Sequence, residues 1–142
     1  MEKIKSKYEN LSNALARLEE AVIDFEKFNA NIKDQYDVRL YRTFRDSMIQ
    51  RFELCVDLFW KYLKIFLEKK LQRPPEFHAP KSIIREACNS RLISEQDAEH
   101  ILKMIEDRNM SSHIYKEEVA DQISAKIPEY YKIMKSYIDK MV

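Results

Sequence analysis

Nine consecutive residues, Asp107-Arg108-Asn109-Met110-Ser111-Ser112-His113-Ile114-Tyr115, bring an arginine, a histidine and a tyrosine together near the end of an expected helix. Arginine presents a planar fork of donors that fits a phosphate. An imidazole passes a proton near neutral pH. A phenol serves as a hydrogen-bond partner or as a site of modification. These types together suit phosphodiester chemistry without a metal. Arg108 and His113 are five apart, however, and a regular helix would separate them by about 140°. They converge only if the helix breaks at Ser111-Ser112, or if each reaches its counterpart in a second subunit. Arg108 and Tyr115, seven apart, share a face if the helix runs on. The bare spacing favours a plainer arrangement, with Asp107-Arg108 a solvated helix end and His113 a cap. Glu117 and Glu118 follow closely enough to orient His113, although acidic residues are common in a helix's first turn.

Other reactive side chains are scattered. His78 lies in a proline-rich loop and His100 among charged residues, so both read as solvated, and the three histidines lack the spacing of a zinc site. Cys55 and Cys88 sit in apolar helical surroundings and read as buried thiols rather than as a metal pair or disulfide. Lys61, Lys64, Lys69, Lys70 and Arg73 form a basic run whose default is a solvated face and whose sharper reading is a track for RNA or a nucleotide. Trp60 reads as a core or interface anchor.

The 142 residues carry a formal net charge of +1, so no global field draws in nucleic acid and any such contact must be local. Glycine is absent. That excludes Gly-rich phosphate loops, dinucleotide fingerprints and nucleophile elbows, each of which needs glycine's backbone freedom. It also disfavours tight hairpins and leaves turns of positive φ to Asn or Asp. The chain is expected to be all helix, in one domain spanning residues 1–142, with no cofactor and no metal. The start, Met1-Glu2-Lys3-Ile4-Lys5, is polar and charged, and no apolar run is long enough to span a bilayer. A cytoplasmic, reduced protein without a membrane partner is the expectation.

The elements that must position the nine-residue segment follow from apolar spacing. Ile4, Tyr8, Leu11, Leu15, Leu18, Val22 and Phe25 recur at alternating spacings of four and three, the seam of one long amphipathic helix. After a polar break at residues 29–37, a longer helix runs over about residues 38–71. Its stripe of Phe52, Val56, Phe59, Leu63 and Phe66 is widened by Leu58, Tyr62 and Ile65, so it needs cover on more than one side. That places it at the centre of a bundle or in a subunit interface. Prolines 74, 75 and 80 end it, and a short helix over about residues 81–91 follows. Ser94 reads as the N-cap of the next helix, with Asp97 imitating a capping box. The last helix begins near Tyr115, and Pro128 is expected to kink or split it. About five helices with short loops describe an antiparallel up-and-down bundle.

In order, Phe52-Glu53-Leu54 to Phe59-Trp60-Lys61, Ile84-Arg85-Glu86-Ala87 to Leu92-Ile93, Asp107-Arg108-Asn109 to His113-Ile114-Tyr115, and Ile127-Pro128 resemble the nucleotidyltransferase substrate-binding protein family, a branch of the HEPN superfamily. The resemblance covers nearly the whole chain, and its most specific part is Arg-Asn-x-x-x-His-x-Tyr. One departure is the missing glycine after the long helix, which bears on the shape of residues 73–80. The resemblance implies a HEPN-like helical homodimer that pairs with a separate minimal nucleotidyltransferase, as a toxin–antitoxin-type pair and as a heterotetramer with that partner. It also implies that Arg108 and His113 match the catalytic pair of ribonucleases that cleave RNA across the dimer without metal, with Asp107 and Asn109 supporting the segment. Tyr115 matches a tyrosine that the partner nucleotidylates to silence such a toxin. Two function classes stay open: an accessory subunit that binds substrate or nucleotide, and an active endoribonuclease. The chain itself lacks the Gly-Ser motif of a transferase.

Overall fold

The computed structural model describes residues 2–141, and among them every regular element is helical. Five α-helices, α1 (Glu2–Asn29), α2 (Gln35–Lys69), α3 (Pro80–Asn89), α4 (Glu95–Met110) and α5 (Glu117–Lys140), form an all-α bundle, and a 3-10 turn at Ser111–His113 links the last two. Cross-helix partners fix the directions. Tyr8 meets the Tyr62 ring, Arg51 donates to the Arg17 carbonyl and Phe25 meets Tyr41, so α1 and α2 are antiparallel. Tyr137 bonds Asp97 and Tyr130 bonds Asp107, so α4 and α5 are antiparallel too. Arg45 reaches Glu117, Phe52 stacks on Tyr130 and Tyr62 donates to the Met141 carbonyl, so α5 lies parallel to α2. The four long helices thus alternate up and down, with short α3 as the crossover.

Helix α2 holds the centre of the bundle, packing against all four other helices. Phe52, Val56, Phe59, Tyr62, Leu63 and Ile65 are all buried within this one chain. Leu58 and Phe66, which widen and extend that stripe, are partly buried, and Leu54 and Tyr36 are more than half exposed on the outer face.

Local signals are mostly honoured. Asp34 caps α2 by accepting from the Asp37 amide, while the Asp37 carboxylate accepts from the Lys33 amide, both at 2.9 Å. Ser94 caps α4 through the Asp97 amide at 3.1 Å, but the Asp97 carboxylate takes the Tyr137 hydroxyl rather than reaching back to the cap. Three expectations are corrected or narrowed. Of the kink or split expected at Pro128, the split does not occur: α5 runs on through residue 140 with Ile127, Tyr130 and Met134 buried around the lost amide. Positive φ falls to Gln72 (52°) and Arg91 (61°), not to Asn or Asp. At Arg91 the reason is visible: the Leu92 amide bonds the Ala87 carbonyl and the Arg91 amide the Cys88 carbonyl, a helix-ending pair of bonds that requires a left-handed residue between. Thirdly, only Cys55 is a fully buried thiol, its pKa pushed up to about 12 by desolvation, whereas Cys88 is half-buried. No described helix is long and apolar enough to cross a membrane.

Candidate functional site

The segment from Asp107 to Tyr115 does break where its serines stand. Helix α4 ends at Met110, the chain tightens through the 3-10 turn, and α5 starts at Glu117. The break does not bring Arg108 and His113 onto a common partner within the chain. Arg108 turns back onto α2, where its Nε and Nη2 donate to the two Asp57 oxygens at 3.2 and 3.1 Å and its Nη1 to Glu53 Oε2 at 3.0 Å. Ser111, buried, closes the cluster by donating to Glu53 Oε2 at 2.6 Å. The Asp57 hydrogen bonds, against some desolvation, hold the Arg108 pKa above its usual value. One cation thus faces two carboxylates, and the fork that could grip a phosphate is filled.

Asp107 is not the solvated helix end that its spacing suggested. Its carboxylate is 14% exposed, accepts the Tyr130 hydroxyl at 2.5 Å and lies 3.4 Å from Lys126 Nζ. Burial and this carboxylate both raise the Tyr130 pKa, so that phenol stays neutral and anchors α4 to α5. Asn109 is exposed on the last turn of α4, and its carbonyl accepts from Ser112 Oγ.

His113 and Tyr115 stand apart from the clamp, both exposed. His113 Nδ1 lies 3.2 Å from the Tyr115 hydroxyl, with the rings edge to face at 5.8 Å. Tyr115 is 73% exposed, the highest value among the large apolar and aromatic side chains that reach solvent. Glu117 does not orient the imidazole, because it points instead to Arg45 and Arg42. This arrangement offers a solvent-facing phenol with an imidazole nitrogen at its oxygen, and, separate from it, an arginine held by two carboxylates.

A family model described as "nucleotidyltransferase substrate binding protein like" matches residues 6–142. The chain belongs to this family. Among solved structures, a protein of Thermus thermophilus is similar at 28% identity and a TM-score of 0.73, covering 92% of this chain and 98% of its own. A Haemophilus influenzae protein, described as having the fold of a substrate binding domain of a nucleotidyltransferase, is similar at 23% identity and a TM-score of 0.79, covering 94% of this chain and 98% of its own. A toxin–antitoxin structure with AMP-PNP contains a chain similar at 14% identity and a TM-score of 0.67, covering 98% and 97%. The last two likenesses are of fold. No curated protein matches.

Sequence reasoning overlooked the groups that brace the start of α5. Arg45 is 1% exposed, donates to Glu117 at 2.7 Å, Asp121 at 2.9 Å and Asp46 at 3.0 Å, and lies under the Tyr41 ring. Tyr41 in turn donates to Asp121 at 2.8 Å. The signal was present: Arg45 precedes Ile49 by four and Phe52 by seven, which puts it on the buried stripe of α2. Glu53 and Asp57 were also overlooked, because a local pairing of Asp57 with Lys61 one turn on looks sufficient from sequence.

The clamp makes Arg108 a measurable contributor to stability. Arg108→Ala leaves Glu53 and Asp57, 25% and 40% exposed, repelling each other without a cation. A loss of about 1–2 kcal/mol in urea unfolding is expected, discounted for partial solvent screening. His113→Ala removes an exposed side chain and is expected to stay within about 0.5 kcal/mol of the parent. Equal stability of the two variants would mean that Arg108 is free in solution.

Proposed function

We propose that this chain is the accessory subunit of a two-protein nucleotidyltransferase system, a single-domain module that binds substrate or nucleotide for a separate minimal nucleotidyltransferase. The observation that carries this reading is the family match over residues 6–142. The likeness to a substrate-binding domain fold and to a toxin–antitoxin chain supports the pairing. These 142 residues have no glycine and hence no Gly-Ser transferase motif, so in this reading the group transfer is supplied from outside them. The subunit works as a homodimer, two copies joining two of the partner.

The geometry favours this binding role over a metal-independent endoribonuclease. Cleavage would require Arg108 to release Asp57 and Glu53 before taking an RNA phosphate, and His113 already has the Tyr115 hydroxyl as its neighbour. What the exposed His113–Tyr115 pair suits as it stands is acceptance of a nucleotidyl group by the Tyr115 oxygen, and a group placed there would cover His113 as well. The test of the pairing is co-expression with a minimal nucleotidyltransferase from the same genome, followed by size exclusion with light scattering. Co-elution at the mass of two plus two copies is expected. Separate elution at matched micromolar concentrations would sink the proposal.

A further inference from the structure

We infer that the seam between the start of α1 and the C-terminal half of α2 is a binding surface for single-stranded nucleic acid, built from Lys3, Lys7, Lys61 and Lys64 around Trp60. These side chains, with Glu68, line a shallow groove of about 260 Å³. Lys3 and Lys7 are one turn apart on α1, and Lys61 and Lys64 one turn apart on α2, so two rows of ammonium groups face one groove. Like charges so gathered repel unless an anion lies among them. Four lysines pair with carboxylates, Lys81 with Glu106, Lys126 with Asp107, Lys132 with Glu129 and Lys135 with Asp139, and most of the others do not, so it is the gathering of the groove lysines rather than their lack of partners that marks them. Among the described residues the groove lysines form no ion pair, although Glu68 follows Lys64 by one turn. The groove therefore carries an excess of three positive charges on a chain whose net charge is only +1.

Trp60 narrows the class of anion. The ring is half-buried against the core and lines the groove with Lys61 Nζ over it, 5.7 Å from its centre, a mobile cation that a stacking base would displace. A base stacked on an aromatic ring beside lysines that hold the backbone is how single strands bind without sequence preference. A rigid duplex would offer phosphates but no free base for the ring. The surface is separate from the Arg108 clamp, and the inference needs neither a transferase nor cleavage.

Trp60 is the chain's one tryptophan, so its emission reports on this groove alone. The experiment titrates the full chain with a 12-nucleotide oligouridylate RNA, following Trp60 fluorescence and the anisotropy of labelled RNA. Saturable quenching is expected. With four phosphates neutralised, the logarithmic salt slope should be about −2.8, an affinity loss of about 50-fold between 50 and 200 mM salt. Lys61→Glu with Lys64→Glu should weaken binding more than tenfold and halve that slope, and Lys3→Glu with Lys7→Glu supplies the same test from the other helix should the first pair misfold. No fluorescence or anisotropy change at 50 mM salt would overturn the inference. So would folded variants that bind like the parent, a response to inorganic triphosphate but not to RNA, or a response to phosphatidylserine vesicles alone.

Discussion

Arg45→Ala is expected to lower the stability of the fold by about 3 kcal/mol, the largest effect of any single polar side chain in the chain. The guanidinium is almost wholly buried yet bonded by three carboxylates from two helices. Removing one member of a buried, hydrogen-bonded charge cluster costs about 3–5 kcal/mol when the partners are left buried. Here Glu117 and Asp121 are about half exposed and rehydrate, which puts the cost at the lower end. For a chain of this length that is a fall of about 6–12 °C in Tm. Arg45→Lys keeps the charge but not the fork, and should recover only part of the loss. A change within about 0.5 kcal/mol, as at an ordinary surface position, would mean the guanidinium is not enclosed in solution.

The pH dependence of that loss carries its own check. Hydrogen bonds from Arg45, against slight desolvation, hold the Glu117 carboxyl below its ordinary pKa, and Arg42 adds to the lowering. Burial works to lower the pKa of Arg45, but the bonds from Glu117, Asp121 and Asp46 leave it raised, so the guanidinium is charged throughout. A carboxyl depressed in the folded state contributes its stability above its unfolded pKa, about 4.3 for glutamate, and loses it as pH falls through the lower folded value. The difference between wild type and Arg45→Ala should thus be full at pH 7 and shrink in acid below about pH 4. Urea unfolding across that range measures it.

How much of this was legible in sequence depends on the range of each interaction. The seam of α1, the α2 stripe and the Ser94 cap are set by neighbours within one or two turns, and spacing reveals them, whereas the break at Ser111-Ser112 was only one of two conditions that the spacing left open. The Arg108 clamp joins residues 51 and 55 positions apart, and the Arg45 cluster spans 72 and 76. No local rule chooses such partners, because Asp57 has Lys61 and Glu117 has His113 nearer in the chain. Tertiary packing chose instead. Arg45 was forced inward by its place on the apolar stripe, and the carboxylates at the start of α5 came with it. The cluster grips Glu117, the first residue of α5, two positions beyond Tyr115. A charge cluster absent from the sequence reading therefore fixes one end of the turn that carries His113 and Tyr115.

That turn is where Tyr115→Phe should abolish acceptance of a nucleotidyl group from the partner transferase, a complete loss on intact-mass analysis. The Tyr115 oxygen would attack the α-phosphorus of a nucleoside triphosphate, the new oxygen–phosphorus bond forming as pyrophosphate leaves. The phenolic proton would pass to His113 Nδ1, which already lies 3.2 Å away. A phenol is a weak nucleophile until a base takes its proton, and a positioned base contributes about two to four orders of magnitude. His113→Ala should therefore slow modification by about 10²–10⁴-fold with little change in stability. Tyr36 provides the internal control: it is 60% exposed, but an arginine, Arg39, lies against its ring and no imidazole is bonded to its hydroxyl. Exposure alone would make Tyr36 nearly as good an acceptor, whereas the geometry selects Tyr115, so Tyr36→Phe should leave modification unchanged. Modification that persists in Tyr115→Phe, or that His113→Ala leaves at the parent rate, would remove the His113–Tyr115 pair from the proposed chemistry.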